Sequence, residues 1–308
     1  MEVIRGIHNL RPRHRDSVVT IGNFDGVHLG HQVILSDLQQ AGARLELPDT
    51  VMIFEPQPQE FFLGVAAPAR LMNWREKIDA LAAAGVARVL CVRFDEKFRQ
   101  LTARGFVQQL LVNGLGCRHL VIGDDFRFGC DRSGDFALLQ AAGDEFGFAV
   151  KNTTTVVVQG GRASSTRIRS ALKAGDFSLA ETLLGRPYTV SGHVVHGDKL
   201  GRTLGVPTAN ISPRRLHSPL SGIYVVTVEG AADTPVFGVS SVGRRPTVNG
   251  QDERIETYLL DFSGDIYGRR IRVQFHHKLR EELKFSSLDE LKVAMAKDIA
   301  EAREYFQI

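Results

Sequence analysis

The feature that most constrains the fold of this 308-residue chain is a change in its hydrophobic pattern near residue 186. Before that point, short runs rich in Val and Ile alternate with longer segments of helical periodicity. The predicted strands of this part lie at 18–21, 51–54, 89–92, 120–122 and around residue 150. Strand–helix alternation predicts a doubly wound parallel sheet with helices on both faces, whose ligands bind at the carboxyl ends of the strands.

Beyond residue 186, predicted strands follow one another with turns between them and no helices. They lie at 188–196, 222–228, 236–242, 255–262 and 271–276. Consecutive short strands predict an antiparallel barrel or sandwich. A terminal helix then begins at a capping box formed by Ser287 and Glu290. We therefore predict an α/β chain with two domains, residues 1–185 and 186–308.

Composition excludes several classes of protein. The 38 Lys and Arg residues exceed the 35 Asp and Glu residues by only three, which is too small an excess to indicate nucleic-acid binding. No apolar run approaches the roughly 18 residues that cross a bilayer, and no secretory signal is evident. The three cysteines form no Cys-x-x-Cys motif. These features predict a cytoplasmic protein without nucleic-acid or membrane partners, and they leave self-association open.

A glycine-rich loop at 22–31 separates the first predicted strand from a helix. Its glycines, among them Gly22 and Gly30, allow the backbone to approach a ligand closely. The helix start offers N–H groups and the positive end of the helix dipole to phosphate. His28 and His31 share one helix face, where they can hold phosphate oxygens as a pyrophosphate leaves. A glycine turn with two surface histidines, or a zinc site, is left open.

A second glycine-rich loop, 196–205, follows the first predicted strand of the second domain and leads into Thr208 and Asn210. The Thr hydroxyl and the Asn carbonyl are hard oxygen ligands that suit Mg²⁺ carrying nucleotide phosphates. The loop supplies four candidate phosphate-binding residues, Gly197, Gly201, Arg202 and Gly205.

Glu256 is a lone carboxylate in a predicted strand with largely apolar neighbours. Strand alternation puts its side chain on the same face as Tyr258 and Leu260. A partly desolvated carboxylate in this position can act as the base that deprotonates a substrate hydroxyl. A cross-strand salt bridge is the alternative that the sequence leaves open.

Three segments of the first domain together resemble nucleotidyltransferases. Asp25 with the spacing of His28 and His31 resembles the signature of that superfamily, and residues 164–169 resemble its second phosphate-binding segment. Residues 123–135 resemble one subgroup, the FMN adenylyltransferases. The resemblance implies that both histidines are catalytic and that nucleotide or phosphate contacts lie at Gly22, Phe24, Asp25, Gly30, Ser164, Ser165, Thr166 and Arg169. It also implies candidate flavin contacts at Asp125, Phe126, Arg127 and Phe128.

The motifs of the second domain resemble the riboflavin kinase module. They are the loop at 196–205 with residues 206–210, the segment 243–247, Glu256 and the segment 279–285. The fused order resembles the bifunctional riboflavin kinase/FAD synthetases of bacteria over nearly the whole chain. The resemblance implies an N-terminal nucleotidyltransferase domain that converts FMN to FAD and a C-terminal β-barrel kinase domain that converts riboflavin to FMN. Both reactions would use ATP and Mg²⁺, and the first would release pyrophosphate.

Three other functions stay open from the sequence. One is an enzyme with a single activity, in which one domain is a relic. Another is a flavin-binding regulatory or storage protein that performs no chemistry. The third is an RNA-binding barrel, which the small net charge and the lack of an aromatic-basic stripe disfavour. Product analysis with riboflavin and ATP separates the first from a bifunctional enzyme, because a kinase alone stops at FMN.

Overall fold

The structure is a computed structural model that describes residues 1–197, 206–213, 215, 217–247 and 250–308. The chain divides into two compact units. One unit consists of residues 1–68 and 77–164, and the other consists of residues 69–76 and 165–308. The first contains a parallel six-stranded sheet and the second a closed antiparallel barrel, which confirms the predicted fold class.

The first unit is built on a sheet of six parallel strands. These are β1 (Glu2–Arg5), β2 (Ser17–Ile21), β3 (Asp49–Glu55), β4 (Arg88–Arg93), β5 (Cys117–Gly123) and β6 (Ala149–Thr153). The helices between the strands are α1 (Leu29–Leu45), α2 (Pro58–Leu63), α3 (Trp74–Ala83), α4 (Glu96–Arg99), α5 (Ala103–Phe106), a π-helix (Val107–Gly114) and α6 (Phe136–Phe146). Short 3₁₀ helices lie at Ile7–Asn9, Pro12–His14 and Gly64–Ala66. A two-stranded antiparallel ribbon follows the sheet, β7 (Val157–Val158) with β8 (Gly161–Arg162).

The strand order of the sheet locates its ligand-binding edge. The strands lie in the order β1-β4-β3-β2-β5-β6. From β2 the chain moves outward through β3 and β4, and then crosses back to place β5 on the other side of β2. Ligands of doubly wound sheets bind at such a switch point, beyond the carboxyl ends of the two strands. The loops that begin there are 22–28 and 124–135, the two that the sequence marks.

The core explains why these segments form strands. Every residue of β2 is buried, because parallel neighbours flank the strand in a sheet whose faces are covered by helices. Val19 and Ile21 pack with Leu120 and Ile122 of β5 in one apolar cluster. Strand β1 is not predicted by the sequence, since a four-residue segment with charged residues at both ends carries little apolar periodicity.

The second unit is a closed barrel with helices around it. Its strands are β9 (Thr189–Val195), β10 (Thr208–Ile211), β11 (Gly222–Glu229), β12 (Val236–Thr247), β13 (Gly250–Leu259) and β14 (Arg270–Arg280). Its helices are α7 (Ser165–Ala174), α8 (Phe177–Leu184) and α9 (Leu288–Phe306). The strands close in the order β10-β13-β12-β11-β14-β9, and β9 pairs with β10. The barrel form of the two predicted alternatives is therefore the correct one.

Helix α9 begins at the predicted N-cap residue Ser287 and packs on the barrel. The Glu290 carboxylate accepts a hydrogen bond from the backbone N–H of Ser286 at 2.9 Å, so the predicted capping box forms only in its Ser287 half. The Ser287 side chain accepts a hydrogen bond from the backbone N–H of Glu290 at 3.2 Å. Ala302 is fully buried in a cluster with residues of β11 and β12. The rings of Phe306 and Phe237 stack with centroids 4.0 Å apart. The C-terminal half of the helix thus covers apolar strand residues.

A buried ion pair holds residues 69–76 within the second unit. Arg215 donates to the Glu76 carboxylate at 2.7 Å, and the two side chains are 0% and 8% exposed. The carboxylate also accepts from the backbone N–H of Asn73 at 2.7 Å and of Ser191 at 2.6 Å. Arg215 donates in addition to the Tyr188 hydroxyl at 2.9 Å. Both oxygens of Glu76 are hydrogen-bonded, as a buried charge requires.

Glu76→Ala should destabilise the second unit strongly, because it leaves the Arg215 guanidinium buried without its carboxylate. We expect the free energy of unfolding to fall by about 3–5 kcal/mol in urea titrations followed by circular dichroism. The control is Glu96→Ala, which removes an exposed pair with Arg99 and should leave the unfolding midpoint unchanged. Equal midpoints for the two variants would contradict this prediction.

Candidate active sites

The loop between β2 and α1 has a strained backbone. Phe24, Gly26 and Val27 have φ angles of 47°, 91° and 43°. A β-branched residue such as valine rarely adopts this left-handed conformation, so its surroundings must hold it. The side chains of Phe24 and Val27 are buried and anchor the loop, and Asp25 between them is buried too. The loop therefore has a defined shape at the switch point of the sheet.

His28 and His31 lie together at the start of α1, as their spacing predicts. His28 is the N-cap residue, and its Nδ1 accepts a hydrogen bond from the backbone N–H of His31 at 3.4 Å. The two imidazole rings stack with centroids 3.7 Å apart and an interplanar angle of 19°. Because Nδ1 of His28 is an acceptor, a neutral His28 ring carries its proton on Nε2. That atom is then the donor that His28 can offer to a phosphate oxygen.

The electrostatic environment of His31 favours the neutral imidazole. Burial holds the pKa of His31 well below its usual range, and the positive charges of His28, Lys77 and Arg162 add to this effect. His31 therefore offers an N–H donor instead of a charge at neutral pH. Its Nδ1 is buried and has no hydrogen-bond partner among the residues that the structure describes. An oxygen of a bound ligand can satisfy this atom.

Lys77 and Arg162 are functional candidates that the sequence does not reveal. Both lie close enough to His31 for their charges to act on its pKa. The Lys77 side chain is 1% exposed, whereas Arg162 forms ion pairs with Asp124 and Asp125, each at 3.0 Å. Neither residue belongs to a local motif, because packing alone brings them near the histidines. Together their positive charges favour the binding of a negatively charged group beside the histidine loop.

The segment 164–169 spans the division between the two units. Ser164 is the last residue of the first unit, and Ser165 begins α7 in the second. Thr166 lies in the first turn of α7, and Arg169 Nε donates to the Ala69 carbonyl at 2.5 Å. Within the first unit, a Cβ on Gly30 would come 3.2 Å from the Ala163 carbonyl oxygen. The chain that leads to Ser164 therefore passes directly beside the histidine loop.

The four candidate flavin residues occupy different environments. Phe128 is buried in the core, and its ring lies against the half-buried ring of Phe126, with centroids 5.5 Å apart. Asp125 is exposed and pairs with Arg162. Arg127 is also exposed and lies 3.5 Å from the carboxylate of Asp135. Their contact with a flavin stays a prediction.

In the barrel, the candidate kinase residues come together on adjacent strands. Thr208 pairs with Tyr258 and Asn210 pairs with Glu256 in the register of β10 and β13. Direct cross-strand partners share a face of the sheet, so all four side chains lie on the same side. The sequence interpretation of Thr208 and Asn210 as Mg²⁺ ligands does not identify β10 as a strand. Pairing with β9 and β13 makes it one.

Two neighbouring cavities adjoin these residues. One has a volume of about 330 Å³ and is lined by Glu256 and Tyr258 together with apolar residues of α9. The other has a volume of about 760 Å³ and is lined by Gly197 and Asn210. Thr208 lines both cavities. Both volumes lie in the range of about 300–1,000 Å³ that is typical of small-molecule sites.

The oxygens that could hold a metal ion are present at the second cavity. The Asn210 side chain is buried, and its Oδ1 has no hydrogen-bond partner among the described residues. Its Nδ2 donates to the Thr208 carbonyl at 3.4 Å, which directs Oδ1 the other way. A Cβ on Gly197 would overlap the Asn210 amide, so glycine is required for this packing. The predicted phosphate-binding residues Gly201, Arg202 and Gly205 lie outside the described residues.

A second carboxylate, which sequence reasoning missed, lies beside Glu256. Glu282 lines the smaller cavity. Its pKa is raised by partial burial and by the negative charges of Glu256 and Glu281. Glu282 falls within the segment 279–285 that resembles the kinase module, but nothing in the sequence separates it from its glutamate neighbour.

Comparisons with known proteins match both parts of the chain. A family described as FAD synthetase matches residues 10–167, and a family described as riboflavin kinase matches residues 184–306. A bifunctional riboflavin kinase/FMN adenylyltransferase from Pseudomonas fluorescens is 53% identical over 305 residues, which are 98% of this chain and 97% of that protein. One of the same name from Escherichia coli (strain K12) is 52% identical over 307 residues, 99% of this chain and 98% of that protein.

A solved structure supports the likeness over the full length. It is described as a macrolide-efflux protein from Streptococcus pneumoniae, and it matches this chain with a TM-score of 0.80 at 32% identity. The match covers 98% of this chain and 99% of that one. None of the helices that the structure describes is both long and apolar enough to cross a membrane.

Proposed function

The chain belongs to the family of bifunctional riboflavin kinases/FMN adenylyltransferases, and from that premise we propose which residues carry out its two reactions. The enzyme phosphorylates riboflavin to FMN and adenylylates FMN to FAD. This activity excludes the functions without chemistry that the sequence left open.

For the kinase reaction, we propose that riboflavin binds in the smaller cavity of the barrel and ATP in the larger one. The observation that carries this proposal is that Thr208 lines both cavities while Glu256 faces the smaller one. Glu256 accepts the proton of the riboflavin 5′-hydroxyl as its oxygen attacks the γ-phosphorus of ATP. The bond from that phosphorus to the bridging oxygen breaks, and ADP leaves with the electron pair.

We propose that Mg²⁺ is held at this site by the Thr208 hydroxyl and Asn210 Oδ1. The orphaned Asn210 oxygen supports this assignment, because carbonyl and hydroxyl oxygens are the ligands that Mg²⁺ prefers. When bound, the ion would neutralise charge on the transferring phosphoryl group. The Asn210 amide also packs against Gly197, and both residues line the larger cavity, where ATP is proposed to bind.

For the adenylyl transfer, we propose that His28 and His31 hold phosphate oxygens of ATP. The FMN phosphate is already a nucleophile, so the site needs no base. An FMN phosphate oxygen attacks the α-phosphorus of ATP, and the bond to the bridging oxygen breaks to release pyrophosphate. The histidine N–H groups stabilise the charge that develops on the leaving group. Lys77 and Arg162 supply positive charge around them.

We propose that the transferase extends over residues 1–185 and the kinase over residues 186–308. The family matches support this division, because they end at residue 167 and begin again at residue 184. Helices α7 and α8 belong by packing to the second unit, although the start of α7 carries transferase residues in this proposal. We further propose that the enzyme is cytoplasmic, because its substrates are small molecules. The near-neutral net charge of the chain supports the absence of a nucleic-acid or membrane partner.

Asn210→Ala should raise the Mg²⁺ concentration that half-saturates riboflavin phosphorylation by at least about tenfold, because an ion ligand is lost. FAD formation from FMN in the same sample is the internal control and should keep its Mg²⁺ requirement. The measurement is a Mg²⁺ titration of both rates after treatment with EDTA. Equal Mg²⁺ curves for variant and wild type would contradict the assignment.

Stoichiometric zinc bound through His28 and His31 would overturn the phosphate role of these residues.

A further inference from the structure

The carboxylate of Glu282 lines the smaller cavity of the barrel, and the proposed kinase mechanism gives it no role. Arg280 donates to Asp298 at 2.7 and 2.8 Å, and Lys278 donates to Glu281 at 2.6 Å. These nearby cations are therefore engaged by other carboxylates. In the part of the chain that the structure describes, the Glu282 side chain has no hydrogen bond and no ion pair.

The backbone of β12 makes room for this carboxylate. A Cβ on Gly243 would overlap the Glu282 carboxylate, so only glycine at this position admits the side chain where it lies. Gly243 is two residues from Ser241, which is the direct cross-strand partner of Glu256. Residues two apart on a strand share a face, so Glu282 occupies the position diagonal to Glu256. The two carboxylates thus adjoin the same end of the cavity.

The chemistry of this position selects the kind of ligand group that can bind there. A carboxylate only accepts hydrogen bonds, so its partner must be a donor. Much of the remaining cavity wall is apolar, for example Leu291 and Met295, and it suits a flat apolar ring. Riboflavin has such a ring and also a ribityl chain of hydroxyl donors. The terminal hydroxyl lies at Glu256 in the proposed function, which puts the adjacent secondary hydroxyls within reach of Glu282.

We propose that Glu282 determines specificity for the ribityl chain by accepting hydrogen bonds from the secondary hydroxyls next to the reacting 5′-hydroxyl. This inference rests on the proposed binding of riboflavin in the smaller cavity. It assigns Glu282 to substrate selection and leaves proton transfer to Glu256. Glu282 is exposed in the free protein. A bound flavin that covers this carboxylate without donating hydrogen bonds leaves the acceptor without a partner, so an enzyme of this kind rejects flavins that lack the hydroxyls.

The test compares three substrates of the full-length enzyme: riboflavin, a flavin with a 5-hydroxypentyl chain, and N3-methylriboflavin. We expect kcat/KM of the wild type to favour riboflavin over the hydroxypentyl flavin by about tenfold to a hundredfold, the worth of a hydrogen bond to a charged group. Glu282→Leu should abolish this preference, and Glu282→Gln should reduce it. Glu281→Gln is the matched control and should retain it, since that carboxylate pairs with Lys278 and is not among the residues that line the smaller cavity.

A second variant tests the same group without changing it. Gly243→Ala should displace the flexible Glu282 side chain and lower the preference, and it should add little to Glu282→Leu. The melting temperature and circular dichroism of each variant show whether its barrel is folded. A wild type without preference, or a Glu282→Leu enzyme that keeps it, overturns the inference. So does a loss of discrimination confined to N3-methylriboflavin, which would place Glu282 at the ring.

Glu256→Gln, measured in parallel, separates this inference from the proposed function. If Glu256→Gln loses kinase turnover while Glu282→Leu keeps its preference, the cavity assignment stands and the role of Glu282 is wrong. If Glu256→Gln retains turnover, the cavity assignment fails and the inference falls with it.

Discussion

Glu256→Gln should lower the rate of riboflavin phosphorylation by about 10²- to 10⁴-fold, the contribution of a general base. The substitution keeps the shape of the side chain but removes its ability to take the proton of the 5′-hydroxyl. Glu256 lies opposite Asn210 in the barrel and faces the smaller cavity. The rate is measured by chromatography of FMN formed under saturating ATP.

The design distinguishes a catalytic Glu256 from a structural one. FAD formation from FMN and the melting temperature should both stay near the wild-type values. The matched control is Glu229→Gln, which neutralises a barrel carboxylate that pairs with Arg272 outside both cavities. A Glu256→Gln protein with a lower melting temperature but normal kinase turnover would show that Glu256 has the salt-bridge role instead.

His28→Ala and His31→Ala should each lower FAD formation from FMN by about 10²- to 10³-fold, the usual loss when one donor to a developing negative charge is removed. Riboflavin phosphorylation should continue at the wild-type rate, because its candidate residues lie in the barrel. The measurement is a time course of FMN and FAD with riboflavin as the starting flavin. FMN should accumulate in both variants while FAD appears only at this reduced rate.

A third histidine variant separates phosphate binding from helix capping. His28 caps α1 through its side chain, so His28→Ala removes a cap as well as a donor. His28→Asn keeps a good N-cap acceptor but replaces the imidazole. We expect His28→Asn to be as stable as the wild type and as inactive in FAD formation as His28→Ala. Normal FAD formation by His28→Asn would reduce the role of His28 to capping, and simultaneous loss of both activities would contradict two separate sites.

Much of the fold could be predicted because it follows from the local pattern of apolar and polar residues. The strands of the parallel sheet repeat at regular intervals, and the later strands follow one another without helices, so periodicity alone indicates two architectures. The loop at 22–31 and the Thr208–Asn210 motif are contiguous in the chain, and their residue types suit phosphate and Mg²⁺. Chemistry that resides in a short segment can be identified without knowing what surrounds it.

Other features depend on residues that are far apart in the chain. Strand β10 has only four residues, and its strand form follows from pairing with β9 and β13, not from its own apolar pattern. The buried position of Lys77 and the neutral state of His31 arise from packing, because desolvation depends on every neighbour of a group. No single-sequence pattern reports these neighbours.

The sequence by itself determined the two architectures, the position of the histidine loop, and the oxygen ligands and base of the barrel as candidates. Only the tertiary structure decided that Thr208 lines two cavities, that Arg162 meets Asp125, and that Glu282 lies where Gly243 leaves space. The physical reason is that hydrophobic periodicity specifies which face of a segment is buried. Strand register and packing decide which side chains then meet across that face, and both depend on residues from the whole chain.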